Sequence, residues 1–163
     1  MGFRNIYRSI HGIALSKYTD INNYLKQLMK PKKELGGYPV CPYLKKYWDK
    51  VLVVYVNNNL KDNLIKYLNS FKEDKEAIVV VIELDISREK LEEVVTKFNS
   101  KYHKKDIEIL YIYPHNKNSD VHKTKVGDTS FKLPLIVIQR KSTLLNARMT
   151  LKKTNYYNYS VIH

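Results

Sequence analysis

The chain has a single cysteine and lacks any long apolar run. Because one thiol cannot form an internal disulfide, Cys41 excludes a disulfide-held fold. The longest apolar runs, Val51 to Val56 and Ala77 to Ile82, are far shorter than the ~20 residues that cross a bilayer. We therefore expect a soluble protein of a reducing, cytoplasmic compartment, with no membrane partner. A mitochondrial matrix location stays open, because residues 1–19 carry bases and no acid.

Arginine is scarce although the chain is strongly basic. Of 29 basic residues only five are arginine, against 16 acidic residues, for a net charge of +13. Clustered basic residues favour a nucleic acid as the binding partner. Lysine, however, has A/T-rich codons, as do the abundant Asn, Ile and Tyr, so an A/T-rich genome would encode many lysines even in a protein that binds no nucleic acid. Residues 1–72 and 121–163 hold the positive excess. One interpretation is therefore a non-enzymatic nucleic-acid-binding or structural module that uses its basic ends, with tyrosines such as Tyr43 or Tyr156 stacking on bases.

The distribution of apolar residues predicts one α/β domain. The run Val51 to Val56 is β-branched without alternation, as in a strand covered on both faces, and Leu60 to Phe71 has the spacing of an amphipathic helix. Further strands and helices follow in the order β-α-β-α-β-loop-β-α. We expect a compact, mostly parallel four-stranded sheet with flanking helices. A thioredoxin-like arrangement is the alternative if the third and fourth strands pair antiparallel.

Three parts make up this single domain of residues 1–163. Residues 1–48 form an N-terminal helical extension packed on the core of residues 49–153, and residues 154–163 form a tail without assigned structure. Residues 114–133 have little periodicity, and loops of that length in compact domains are usually functional or mobile.

A predicted site lies where the strands end. In open α/β sheets, ligands bind beyond the carboxyl ends of the strands. This rule groups Asn57, Asp85, His115 and Arg140, and Arg140 leaves the group if the fourth strand is antiparallel. His115 is a candidate acid or base, since an imidazole titrates near neutral pH. It shares its loop with His122, but no further ligand stands at a recognised spacing, so we expect neither a metal nor another cofactor.

Cys41 and Arg148 are the other candidates. Pro42 favours a helix that begins directly after Cys41, which would place the thiol at a helix N-terminus and lower its pKa. Cys41 is then a candidate nucleophile, although a free cysteine is also often a small buried apolar residue. Arg148 follows Ala147 beside an apolar helical stripe and needs an anionic partner, either a ligand, Asp85 or a backbone carbonyl. These residues favour a protein that binds an anionic small molecule and that acts as a cysteine-dependent enzyme if Cys41 and His115 meet.

Three short motifs together are similar to those of a bacterial family. They are Cys41-Pro42-Tyr43, Pro114-His115, and Leu133-Pro134-Leu135 running on to Ala147-Arg148. In this they resemble an uncharacterised family of small bacterial proteins with an N-terminal Cys-Pro-Phe/Tyr motif. The resemblance implies a shared α/β fold and a shared Cys, His and Arg site, but no reaction. This chain departs from the family in having Pro-His for His-Pro and in lacking an acidic, Asn-rich segment before the last strand.

Overall fold

The four apolar runs of the chain form one open, mixed sheet. The computed structural model describes residues 15–114 and 131–159. Its strands are β1 (Val51–Val56), β2 (Ala77–Ile82), β3 (Ile107–Ile112) and β4 (Leu135–Arg140), in the spatial order β1-β2-β4-β3. β1 and β2 are parallel, whereas β4 is antiparallel to both of its neighbours.

The predicted order of strands and helices is confirmed, but the prediction of a mostly parallel sheet is wrong. A continuous apolar run indicates that a strand is covered on both faces and carries no information on its direction. β4 enters the sheet between β2 and β3 and runs against both of them. The antiparallel pairing of β3 and β4 meets the condition set for the thioredoxin-like alternative, which itself stays a prediction.

Helices cover both faces of this sheet. They are α1 (Leu15–Met29), α2 (Pro42–Lys46), α3 (Leu60–Asn69), α4 (Arg88–Tyr102), α5 (Lys141–Lys152) and α6 (Tyr156–Tyr159). Ser87 caps α4, because its hydroxyl accepts a hydrogen bond from the Lys90 amide at 3.2 Å. The last helix, α6, lies in the tail of residues 154–163, for which the sequence predicts no particular structure.

The start of α5 is held by another segment of the chain. The helix begins at Lys141, and its N-cap residue, Arg140, makes no side-chain capping hydrogen bond. Asp106 accepts hydrogen bonds from the Ser142 backbone amide at 2.6 Å and from its hydroxyl at 2.5 Å. A carboxylate from the residue ahead of β3 therefore supplies the cap, which sequence spacing within the helix does not reveal.

The two faces of the sheet carry separate apolar clusters. We call the face under α3 and α4 the closed face; its buried strand residues include Ile78, Val80 and Ile138, which pack with Leu91 and Phe98. We call the opposite face, under α1, α2, α5 and α6, the cavity face. There, Val79, Val81 and Leu135 pack with residues of α1 and α2, among them Ile21, Leu25 and Leu44. Strand alternation sends neighbouring residues to opposite faces, so each strand contributes to both clusters.

Candidate ligand-binding site

A cavity of about 200 Å³ lies on the cavity face. Its floor is formed by strand residues such as Val79, Leu110 and Val137. The walls come from α1, from the segment that leads into α2, and from α5 and α6. Ligand sites in proteins are typically concave and mostly apolar with a few placed polar groups, and this cavity fits that description.

The helix α5 leaves this space open because it stands off the sheet. It has no buried residue, and Leu144, Ala147 and Leu151 face the cavity while remaining partly accessible. Ala147 on the helix and Ala77 on the floor present small side chains to the same cavity. The volume that larger side chains would occupy in a filled core is therefore available to a ligand.

Gln139 places a polar group in the floor of the cavity. The residue is only 5% exposed, and its Nε2 has no hydrogen-bond partner within residues 15–114 and 131–159. A buried donor left without an acceptor costs about 1–3 kcal/mol. The Nε2 atom itself is buried, so an oxygen atom of a ligand would satisfy it once the Gln139 side chain turns toward the cavity. Gln139 is not among the predicted site residues, although a glutamine at an inward position after Leu135 and Val137 is a visible signal.

Cys41 lines the same cavity and begins α2. As predicted, it occupies the N-cap position with Pro42 as the first helical residue. The Leu44 amide donates a hydrogen bond to its Sγ at 3.4 Å. The predicted lowering of the thiol pKa is wrong: burial raises the pKa of Cys41 and outweighs the backbone hydrogen bonds. The nearby Lys45 and Lys46 are exposed, so water screens their charges.

Arg148 reaches the cavity from α5. Of the partners considered for it, neither Asp85 nor a backbone carbonyl is in contact, and it has no ion pair or hydrogen bond with any residue that the structure describes. The side chain is exposed overall, so its guanidinium remains available to an anion. Cys41 and Arg148, which lie far apart in the sequence, thus line one cavity.

Arg140 is committed to contacts inside the protein. Its Nη2 donates to the carbonyl oxygens of Lys72 at 2.8 Å and Lys75 at 2.9 Å. Its guanidinium also pairs with the carboxylates of Glu76 at 3.7 Å and Asp106 at 3.8 Å. Because β4 is antiparallel, Arg140 lies at the opposite end of the sheet from the carboxyl ends of β1 and β2. The condition under which Arg140 leaves the predicted group of loop residues is therefore met.

Two of the remaining predicted residues, Asn57 and Asp85, do not line the cavity. Asn57 and Asp85 follow β1 and β2 and are exposed. The candidate acid or base His115, and His122, lie outside the described residues, so their roles stay predictions. In the part of the chain that the structure describes, no group of three His, Cys, Asp or Glu side chains is arranged to hold a metal ion. No helix in that part is long and apolar enough to cross a membrane.

The tyrosines proposed to stack on bases are engaged within the fold. Tyr43 is buried, and its hydroxyl donates to the backbone oxygen of Glu76 at 3.1 Å. Tyr156 is buried as well, and its hydroxyl donates to the backbone oxygen of Val40 at 2.8 Å. Neither ring presents an open face to a base. Tyr156 instead lines the cavity wall and ties α6 to the segment ahead of α2.

Comparison with known proteins adds no relative to this description. No family model, curated protein or solved structure matches the chain. The resemblance to the Cys-Pro-Phe/Tyr family stays a prediction, and the case for function depends on the cavity itself.

Proposed function

We propose that this protein binds a small, mostly apolar molecule with a carboxylate or similar anionic group in the cavity beneath α5. The observation that carries the proposal is the buried Nε2 of Gln139, which has no hydrogen-bond partner among the described residues and belongs to an otherwise apolar floor. A ligand oxygen that accepts its hydrogen bond would remove the cost of leaving that donor unpaired. An anionic ligand was also the expectation from the sequence. The proposed site, however, lies on the cavity face and not at the carboxyl ends of the strands.

The described side chains suit different parts of such a ligand. The aliphatic floor and walls would bury its apolar body, with a gain of roughly 25 cal/mol per Å² of apolar surface removed from water. The Gln139 amide would donate to an oxygen atom. The guanidinium of Arg148, which has no partner in the described part of the chain, would attract the negative charge.

We propose binding rather than catalysis as the activity of Cys41 and its surroundings. Burial raises the pKa of Cys41, so the neutral thiol predominates at neutral pH and the nucleophilic thiolate is scarce. A neutral thiol contacts apolar ligands as a small, polarisable group. A cysteine-dependent reaction would need a base, for which His115 is the sequence candidate.

The test is calorimetric titration with straight-chain carboxylates, from hexanoate to dodecanoate, and with the alcohols of the same lengths. We expect carboxylates to bind more tightly than alcohols. Arg148→Gln should weaken carboxylate binding about tenfold, equivalent to about 1.4 kcal/mol, and should leave alcohol binding unchanged. Gln139→Leu should weaken both classes. Lys152→Gln removes one charge from the same helix outside the cavity lining and is the matched control.

Two results would overturn the proposal. The first is equal binding of alcohols and carboxylates with no effect of Gln139→Leu. The second is that Lys152→Gln weakens carboxylate binding as much as Arg148→Gln does, which would indicate general attraction to a basic surface. The alternative, a nucleic-acid-binding module that uses its basic ends, predicts affinity for a nucleic acid that falls steeply with salt and does not depend on Gln139.

A further inference from the structure

The helix that covers the cavity also exposes large apolar side chains. In residues 20–114 and 131–158, whose side chains are described, the exposed large apolar residues are Leu145, at 45%, and Met149, at 62%. They lie one turn apart on α5, so they are neighbours on its surface. Single exposed apolar residues are common, but two adjacent ones on the cover of an apolar cavity suggest a shared role.

Basic residues surround this apolar pair on one side of α5. Positions 141, 145, 148, 149 and 152 have the spacing i, i+4, i+7, i+8 and i+11, which places them in one stripe. We call this the outer stripe; it consists of Lys141, Leu145, Arg148, Met149 and Lys152. All five side chains are exposed, and α5 contains no acidic residue. The stripe therefore combines apolar groups with positive charge, as helices that lie on anionic membranes do.

We propose that the outer stripe docks on an anionic lipid surface and that the ligand of the cavity is a lipophilic acid taken from that surface. The second part rests on the proposed function. Leu145 and Met149 would enter the boundary between headgroups and acyl chains, while Lys141 and Lys152 would face the lipid phosphates. Arg148 belongs both to the stripe and to the cavity lining. The Arg148 guanidinium is thus placed to contact the lipophilic acid both at the lipid surface and within the cavity.

A lipid surface fits these observations better than a nucleic acid does. Positive charge alone suits either partner, but exposed leucine and methionine side chains gain nothing from contact with a phosphate backbone. The expectation of no membrane partner came from the absence of a long apolar run. A helix that lies on a bilayer needs no such run, because only one side of it enters the lipid.

Vesicle sedimentation tests the docking. The wild type should bind vesicles of equal parts phosphatidylcholine and phosphatidylglycerol at least tenfold more tightly than vesicles of phosphatidylcholine alone. Replacing Leu145→Ser and Met149→Ser together should lower affinity for the anionic vesicles at least tenfold. The matched control replaces Asn146→Ser and Thr150→Ser, which are exposed on another side of α5, and should stay within twofold of the wild type. A second variant, Lys141→Gln with Lys152→Gln, should also weaken binding and reduce its dependence on salt.

Decanoate titration without vesicles separates this proposal from the proposed function. The double serine variant should bind decanoate as the wild type does, whereas Gln139→Leu should bind decanoate more weakly and keep vesicle binding. Unchanged vesicle affinity of the double serine variant overturns the docking and leaves the proposed function standing. The other contrary result is a protein that binds vesicles through Leu145 and Met149 but binds no carboxylate. That result overturns the inference that the ligand is taken from the lipid surface.

Discussion

The two faces of the sheet are built from the same strands but differ in how completely helices cover them. On the closed face, α4 presents Leu91, Phe98 and Tyr102 to the strands, and all three are buried. On the cavity face, α5 presents Leu144, Ala147 and Leu151, none of which is buried. Continuous apolar strands therefore tell us that both faces are covered, while the bulk of the covering helix decides whether a face is filled or left open to a ligand.

The largest expected effect is the difference between two equivalent leucine truncations. Leu91→Ala on the closed face should lower the free energy of unfolding by about 3 kcal/mol, since it leaves a void in a filled core. Leu144→Ala should cost less than about 1 kcal/mol, because its side chain already borders empty space. Urea denaturation measures both. Equal losses would show that the cavity face is as closely packed as the other.

Arg140 gives the next largest effect, and its role separates stability from binding. Arg140→Gln should lower the free energy of unfolding by about 2 kcal/mol, because the buried carboxylate of Glu76 loses its ion pair. Decanoate affinity should stay within twofold of the wild type. The exposed neighbouring change Lys141→Gln serves as the control for charge, with an effect within about 0.5 kcal/mol on stability. If the Arg140→Gln variant is stable but no longer binds decanoate, Arg140 takes part in ligand binding after all.

Residues 77–82 and 135–140 show which features of the fold can be predicted from the sequence and which cannot. Their apolar runs predict two covered strands, and both strands form. Nothing in either run reports direction, so the antiparallel entry of β4 and the position of Arg140 could not be read from sequence. Cys41 and Arg148 were both singled out, yet their shared cavity depends on how α5 folds back over the sheet. The opposite shift of the Cys41 pKa depends on burial, which a helix-start motif does not report.

The cavity face should also lose stability in alkali. Burial, with a smaller contribution from Cys41, raises the pKa of Tyr24 to about 12, and burial raises the pKa of Cys41 as well. When the pKa of a group is higher in the folded than in the unfolded protein, the folded state holds the proton more tightly. This contribution to the free energy of unfolding is present in full below the unfolded pKa and is lost as pH rises through the folded pKa. At pH 11, one unit above the unfolded value for tyrosine, Tyr24 should account for about 1.4 kcal/mol of the loss.

Tyr24→Phe tests that assignment, since it removes the titrating hydroxyl and keeps the ring. Urea denaturation at pH 7, 9 and 11 should show a shallower fall between the last two values in the variant than in the wild type. Between pH 7 and 9 the two proteins should run parallel, which controls for the packing change. Identical slopes up to pH 11 would mean that the Tyr24 hydroxyl is as accessible to solvent as in the unfolded chain.

The smallest predicted effect is a gain in stability on the cavity face. Gln139→Leu should raise the free energy of unfolding by about 1 kcal/mol, because it replaces a buried amide donor, which has no partner within residues 15–114 and 131–159, by an apolar side chain of similar size. The same change should weaken carboxylate binding, so stability and affinity move in opposite directions. Val137→Leu, on the same strand and the same cavity floor, adds apolar bulk and removes no donor. If Gln139→Leu instead lowers stability while Val137→Leu does not, the Gln139 amide already has a hydrogen-bond partner in the unliganded protein. It would then not need a ligand oxygen as its acceptor.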